Sequence, residues 1–77
     1  MNTGVDYVNK LGLMVKEERA NLALTQEEFA KKLRLSNVSI CHVESGKFVG
    51  SKIIKKLASH FKISTVEIRK LMLTKEE

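Results

Sequence analysis

The sequence predicts an all-α fold, a compact domain of five short helices around one core. Three observations support this: helix-forming residues dominate and proline does not occur, a serine or threonine stands before each of four helix-compatible stretches, and apolar residues recur at helical spacing. A chain of 77 residues can form only one modest core, and its few aromatic residues mean that this core is mostly aliphatic. We therefore expect a single domain over residues 1–77, with its core from about residue 6 to about residue 73.

The first helix is expected from about Asp6 to about Asn21, ahead of the serine and threonine positions. Its apolar face would carry Val8, Leu11, Val15 and then Leu22. The two chain ends, residues 1–5 and 74–77, lie outside the apolar pattern and are expected to be frayed.

The other four helices each follow a residue whose hydroxyl can cap a helix N-terminus. These residues are Thr25, Ser36, Ser51 and Ser64. Thr25 and Ser64 each have a glutamate three residues later, which is the spacing of a capping box. Helices this short are not stable alone, so their apolar faces must pack together. The apolar positions are Phe29, Ala30, Leu33, Ile40, Val43, Ile54, Leu57, Ala58, Phe61, Ile68, Leu71 and Met72.

Positive charge is concentrated in the middle of the chain. Residues 29–62 contain eight lysines or arginines and one acidic residue, Glu44, while the whole chain carries a net charge of +5. A basic middle with neutral or acidic flanks suits a protein that binds a polyanion. Surface lysines also keep proteins in solution, so charge alone leaves both interpretations open.

Composition excludes several other classes of protein. The single cysteine, Cys41, cannot form an internal disulfide, and the sequence contains neither a signal peptide nor a long apolar run. These features predict a cytoplasmic protein that does not interact with membranes. Cys41, His42 and His60 lack the spacing of a zinc site, so neither a metal nor another cofactor is expected. Without paired carboxylates, a nucleophile with its base or a glycine-rich phosphate loop, the chain is not expected to be an enzyme.

Residues from about 26 to about 45 have the features of a helix-turn-helix. Ala30 is small where the second of the two helices must approach the first, and Ser36 caps that second helix. Ile40 and Val43 would point it into the core. The face left outward carries Asn37, Val38, Cys41 and His42, at positions i, i+1, i+4 and i+5. Small and hydrogen-bonding side chains flanked by lysines suit a helix that enters the major groove of DNA.

The motifs of this segment match a known family without a gap. They are Gln26-Glu27-Glu28-Phe29-Ala30, Arg34-Leu35-Ser36, Ser39-Ile40-Cys41 and Glu44-Ser45-Gly46, followed by a pattern of Ile54, Leu57, Ala58, Phe61, Ile63 and Ser64. With them, the stretch from about Leu11 to about Met72 resembles the phage-repressor and Cro type of helix-turn-helix domain, the XRE family. The sequence departs from the family at Ala23 and Arg34, where glycine is usual, and at Gly50-Ser51, where proline is common.

This resemblance implies a transcriptional regulator, a repressor, that binds specific sequences of double-stranded DNA. Its recognition helix would cover about Asn37–Ser45. Gln26, Lys47 and Lys52 would contact the DNA backbone, and Asn37, Val38 and His42 would face base edges. Ser36, as the cap, and Cys41, as a small residue close to DNA, complete the expected DNA-binding set. Arg19 and Glu44 match an ion pair between the first and third helices. The resemblance also implies a homodimer, at least on DNA.

Several of these residues have a second interpretation. Asn37 would either read adenine or contact only phosphate and water, and Cys41 would be either a small side chain near DNA or a redox-sensitive thiol. A protonated His42 would add a phosphate contact. Lys55, Lys56 and Lys62 are expected on a solvated face that attracts DNA at long range, and His60 is expected to be partly exposed. The apolar pair Phe48-Val49 would cover the core or form a dimer contact, and the other candidate dimer patch is Leu71, Met72 and Leu73.

A protein-interaction module on the same scaffold is the alternative function. An antitoxin, or an adaptor that contacts the transcription machinery, would be such a module, and it would have a protein partner. Fold alone does not separate the two functions. The polar and small residues of the recognition helix, together with Lys47 and Lys52, favour DNA, because an interaction module would more often carry a larger apolar patch or acidic residues there.

Overall fold

The computed structural model describes residues 9–74 of the chain, and it confirms the predicted all-α fold with five helices. The helices are α1 (Lys10–Asn21), α2 (Gln26–Leu33), α3 (Asn37–Glu44), α4 (Ser51–Phe61) and α5 (Thr65–Leu73). Helix α3 packs mainly against α1 and α2, and α5 packs mainly against α1 and α4. Within residues 9–74, none of these helices has the length and apolar character needed to cross a membrane.

Three of the four predicted N-caps are present. The hydroxyls of Thr25, Ser36 and Ser64 each accept a hydrogen bond from the backbone N–H three residues later, at 3.1 Å. The capping box at Thr25 is complete, because Glu28 Oε1 accepts the Thr25 N–H at 2.8 Å. At Ser64 the structure shows the serine half of the box.

Two predicted helix starts are wrong. Helix α1 begins at Lys10 and not near Asp6, because Asn9 has an extended backbone and its Oδ1 accepts the N–H of Gly12 at 2.8 Å. Ser51 is not a cap but the first residue of α4, and Gly50 occupies the N-cap position. Because Gly50 has no side chain, the first amides of α4 are left without a side-chain cap.

The core contains side chains from all five helices. Its buried members are Leu11, Val15, Phe29, Ala30, Leu33, Ile40, Val43, Ile54, Leu57, Ala58, Ile68 and Met72. Most predicted core positions are therefore confirmed, while Phe61 and Leu71 are half-buried at its edge. Leu22 is 41% exposed, contrary to expectation, because it lies just beyond the last turn of α1. Val8 lies outside the described residues.

The end of α5 is attached to the start of α1. The Lys10 N–H donates to the Thr74 carbonyl at 2.8 Å, and the Thr74 hydroxyl donates to the Lys70 carbonyl at 2.7 Å. The expectation of a frayed Thr74 is therefore wrong. The other residues expected to fray, 1–5 and 75–77, lie outside the described part of the chain.

Three residues other than glycine have a left-handed backbone. Ala23 has φ = 57° and Arg34 has φ = 59°, at the two positions where the family usually has glycine, and Lys62 has φ = 60° after α4. This conformation costs about 1 kcal/mol at each position relative to glycine. The turns thus have the backbone that glycine adopts most easily, at some cost in stability.

Helix α1 passes very close to the end of α3 at Gly12. A Cβ atom at Gly12 would lie 2.7 Å from the Val43 carbonyl oxygen and 3.2 Å from that of Glu44. Beside it, the buried Asn9 donates from Nδ2 to the Gly46 carbonyl at 3.3 Å. A glycine and a capping asparagine together allow α1 to approach the backbone of α3.

A buried carboxylate joins the first three helices. The Glu44 side chain, only 3% exposed, accepts hydrogen bonds from Arg19 Nε at 2.7 Å and Arg19 Nη2 at 3.0 Å. Gln26 Nε2 donates to the same carboxylate at 3.0 Å, and Arg19 Nη1 donates to the Leu24 carbonyl at 3.1 Å. The hydrogen bond with Glu44 raises the pKa of Arg19 above its usual value, and their ionic attraction adds to the effect although burial opposes it.

Replacing Gly12 with alanine tests the close approach of α1 to α3. Alanine has a higher helix propensity than glycine, but here its methyl group would clash with the backbone carbonyl oxygens of α3, which cannot rotate away as a side chain could. Gly12→Ala should therefore lower the free energy of unfolding by about 1–2 kcal/mol in urea denaturation. Gly50→Ala is the control, since its Cβ would have no neighbour within 4 Å. Alanine is a poorer N-cap than glycine, so we expect a small loss of about 0.5 kcal/mol from the weaker cap and none from a steric clash. A stabilised Gly12→Ala variant would contradict the tight contact.

Removing one partner of the ion pair tests the role of the buried carboxylate. Arg19→Leu leaves the Glu44 charge buried and poorly compensated, so the free energy of unfolding should fall by about 3–5 kcal/mol. The double variant Arg19→Leu/Glu44→Met should recover most of this loss because no buried charge remains. Lys16→Leu, an exposed lysine of the same helix, is the control. If the single and double variants unfold at the same urea concentration, the loss does not come from an uncompensated charge.

Candidate nucleic-acid interface

Helix α3 has one face in the core and the other toward solvent. Its inner face carries Ile40, Val43 and Glu44, all of which are buried. On the outer side, Asn37, Val38 and Cys41 are exposed and His42 is half-buried. The structure thus brings the predicted outward residues together on one side of α3, with His42 less accessible than its neighbours.

Two serines organise the start of α3. The Ser36 hydroxyl accepts the Ser39 N–H, and the two hydroxyl oxygens lie 2.9 Å apart. Ser36 is exposed, so the capped end of the helix is open to solvent. The sequence analysis did not single out Ser39, because a hydroxyl at the third position of a helix gives no signal until its distance to the cap is known.

The end of α3 turns sharply toward the following loop. The His42 carbonyl accepts hydrogen bonds from the Lys47 N–H at 3.0 Å and the Ser45 hydroxyl at 3.1 Å. Gly46 has φ = 86°, a left-handed conformation that glycine adopts without steric cost. This turn places the exposed Lys47 directly after the helix.

Gln26 and Lys52 mark the starts of the two helices that flank α3 in sequence. Gln26 is half-buried, and its amide donates to Glu44, so the start of α2 is tied to the end of α3. Lys52 is exposed in the first turn of α4. A lysine at a helix N-terminus is unfavourable beside the positive end of the helix dipole unless an anion lies nearby, and the uncapped amides there suit a phosphate.

The basic segment of the chain presents no acidic side chain to solvent. Glu44, the one acidic residue among residues 29–62, is buried and paired with Arg19. The exposed basic residues of the segment are Lys31, Lys32, Arg34, Lys47, Lys52, Lys55 and Lys62. Lys56 was expected on a solvated face, but it is half-buried, and its Nζ donates to the Arg34 carbonyl at 2.7 Å. The surface around α3 is therefore strongly positive.

A shallow depression between α1 and α3 adds a lysine that the sequence analysis did not identify. It has a volume of about 180 Å³ and is lined by Lys16, Gln26, Cys41, Glu44 and Ser45. Lys16 lies on the exposed side of α1, ten residues before the helix-turn-helix begins. Periodicity shows only that it points away from the core, so its position beside Gln26 and Cys41 depends on how the helices pack.

His60 lies away from this surface and has a structural role. It is half-buried, as expected, with its Nε2 2.7 Å from Glu18 Oε2. Its ring packs edge-on against Phe29 and Phe61, with ring centres 5.3 Å and 5.0 Å apart. Among residues 9–74, the structure contains no group of three or more histidine, cysteine, aspartate or glutamate side chains placed to hold a metal ion.

Comparisons with known proteins agree with this geometry. Residues 15–68, well over half of the chain, match a family model described as helix-turn-helix. Among solved structures, the chain is similar to the Clp gene regulator ClgR from C. glutamicum, with a TM-score of 0.57 and 23% sequence identity, covering 83% of this chain and 84% of the other. No curated protein sequence matches the chain significantly. The likeness to the regulator supports the fold.

The family match spans α2, the turn and α3, the segment whose motifs indicated the phage-repressor type. The resemblance noted in the sequence is thereby confirmed, including the capped second helix and the left-handed turn at Arg34. The chain belongs to the XRE-type helix-turn-helix family.

Proposed function

We propose that this protein is a sequence-specific transcriptional regulator that places α3 in the major groove of double-stranded DNA. The observation that carries the proposal is the outer face of α3, which is exposed, contains no acidic side chain and projects from a helix whose inner face is fixed in the core. A rigid helix of this kind can hold side chains against base edges without first having to fold.

Base edges would be read by the outer face of α3. The Asn37 amide can donate to N7 and accept from the N6 amino group of adenine, and Val38 can pack on a thymine methyl group. His42 would contact a further base edge from one turn along the helix. Cys41, between them, is small enough to let the helix approach the bases closely.

The DNA backbone would be held on both sides of α3. Gln26, tied to Glu44, would contact one phosphate at the start of α2, with Ser36 nearby at the cap of α3. Lys47 and Lys52 would contact phosphates beyond the other end of the helix, where the uncapped amides of α4 provide further donors. We add Lys16 to this set, because it lines the same depression as Gln26 and Cys41.

Repression is the regulatory outcome we propose. A protein bound in the major groove of a promoter occludes RNA polymerase without making any contact with it. The uniformly basic surface of residues 29–62 favours tight occupancy of DNA, because each phosphate it neutralises releases counterions.

We also propose that two copies bind DNA as a homodimer. Phe48 and Leu73 are 71% and 66% exposed, more than the other large apolar side chains of residues 9–74. The Val49 N–H lies 3.5 Å from Met72 Sδ, so the two candidate patches of the sequence adjoin each other. Exposed apolar side chains beside this contact, Phe48 and Leu73, suit contact with a two-fold-related copy.

Selection of binding sites from a random duplex library tests the DNA-binding proposal. The wild-type protein should enrich an inverted repeat, because two recognition helices of a symmetric dimer read equivalent half-sites. Asn37→Ala/His42→Ala should lose about 1–3 kcal/mol of discrimination for each base contact removed and fail to enrich that repeat.

The matched control is Val66→Ala/Lys70→Ala, which alters two exposed residues of α5 and should select the same repeat as the wild type. Circular dichroism verifies that both double variants retain their helices. If the wild-type protein enriches no sequence at physiological salt, the chain is not a sequence-specific regulator.

Sedimentation and DNA titration test the proposed dimer. Phe48→Ser and Leu73→Ser should each abolish cooperative binding to the inverted repeat while affinity for a single half-site stays unchanged, because the dimer contact is lost and α3 is not altered. Val66→Ser, which removes another exposed apolar side chain, serves as the control. Cooperativity that survives in the Phe48→Ser/Leu73→Ser double variant would place the dimer contact elsewhere.

A further inference from the structure

The end of α2 and one face of α4 form a groove whose residues are not among the individual DNA contacts proposed above, although its cations belong to the basic segment of residues 29–62. Its volume is about 300 Å³, and its walls are Lys32, Leu33, Arg34, Lys56, Ser59 and His60. These residues come from α2, its C-cap and α4, and none belongs to the recognition helix. The groove is therefore a surface separate from the outer face of α3.

Positive charge dominates this groove. Lys32, Arg34 and Lys56 line it, and within residues 9–74 no carboxylate forms part of its walls. One wall residue, His60, has an acidic partner, since its Nε2 lies 2.7 Å from Glu18 Oε2. Three clustered cations without a carboxylate between them repel one another, so an anionic ligand would relieve that repulsion.

One cation of the groove, Lys56, and its imidazole ring, His60, are held in place. Lys56 Nζ is fixed by its 2.7 Å hydrogen bond to the Arg34 carbonyl, and it shares one helix face with Ser59 and His60 at positions i, i+3 and i+4. The His60 ring is held edge-on by Phe29. A ligand would thus lose less free energy in ordering these side chains than it would on a flexible lysine surface.

Arg34 adds a second observation. It has a left-handed backbone, φ = 59°, at a position where glycine would avoid the steric cost. The arginine side chain at this position lines the groove.

We propose that this groove binds an acidic segment of a partner protein, a stretch with at least two aspartate or glutamate side chains. The cations lie on both walls, so a single carboxylate would engage only part of the groove. The groove carries positive charge that complements carboxylates, and it lies off the outer face of α3, the face that the proposed function assigns to DNA. The groove thus gives the protein a way to contact a second macromolecule from a surface other than α3.

Titration of the ¹⁵N-labelled full chain with a synthetic hexaglutamate peptide, in the absence of DNA, tests this site. We expect saturable shifts of the backbone amides of Lys32, Arg34, Lys56, Ser59 and His60. The double variant Lys32→Gln/Arg34→Gly should weaken the peptide about tenfold, since it removes two ionic contacts. Glycine at position 34 preserves the left-handed turn, so the variant should remain folded.

The control Lys55→Gln/Lys62→Gln removes the same charge from two exposed lysines outside the groove and should weaken the peptide by less than about twofold. Equal weakening by both double variants would overturn the proposal, because attraction would then follow net charge alone. So would a peptide that causes no saturable shift. If a DNA duplex but not the peptide shifts these amides, the groove is a DNA contact, and the outcome at α3 is judged separately by site selection.

Discussion

The arrangement of the first three helices depends on one buried carboxylate. Glu44 lies at the end of α3, and it receives Arg19 from α1 and Gln26 from α2. A buried ion pair contributes little net stability once desolvation is counted, but it tolerates only one geometry. In this domain it fixes how the end of α3 is seated against α1 and α2, and so which way the outer face of α3 points.

The same interaction shapes the electrostatic surface. Glu44 is the one acidic residue of the basic segment, and its burial leaves the exposed side chains of residues 29–62 uniformly positive or neutral. The positive charge of Arg19 neutralises the buried Glu44 carboxylate. Structure and charge are therefore linked, since the glutamate that joins the three helices is also the acidic side chain withdrawn from the surface of residues 29–62.

Features governed by local chemistry could be predicted from the sequence, and those governed by packing could not. Thr25, Ser36 and Ser64 act on residues three positions away, so their spacing revealed them. Lys56 and its acceptor Arg34 are 22 residues apart, and His60 and Glu18 are 42 apart, so neither contact leaves a local pattern. The start of α1 was misplaced because no hydroxyl marks it, although Asn9 is an effective cap. Family resemblance, and not spacing, indicated the pairing of Arg19 with Glu44.

The left-handed residues Ala23, Arg34 and Lys62 affect how long a molecule of this kind persists in a cell. Together they cost about 3 kcal/mol relative to glycine, which raises the unfolded fraction about a hundredfold in a domain of ordinary stability. Cellular proteases act on that fraction, so the turnover of such a domain is faster than it would be with glycine in its turns.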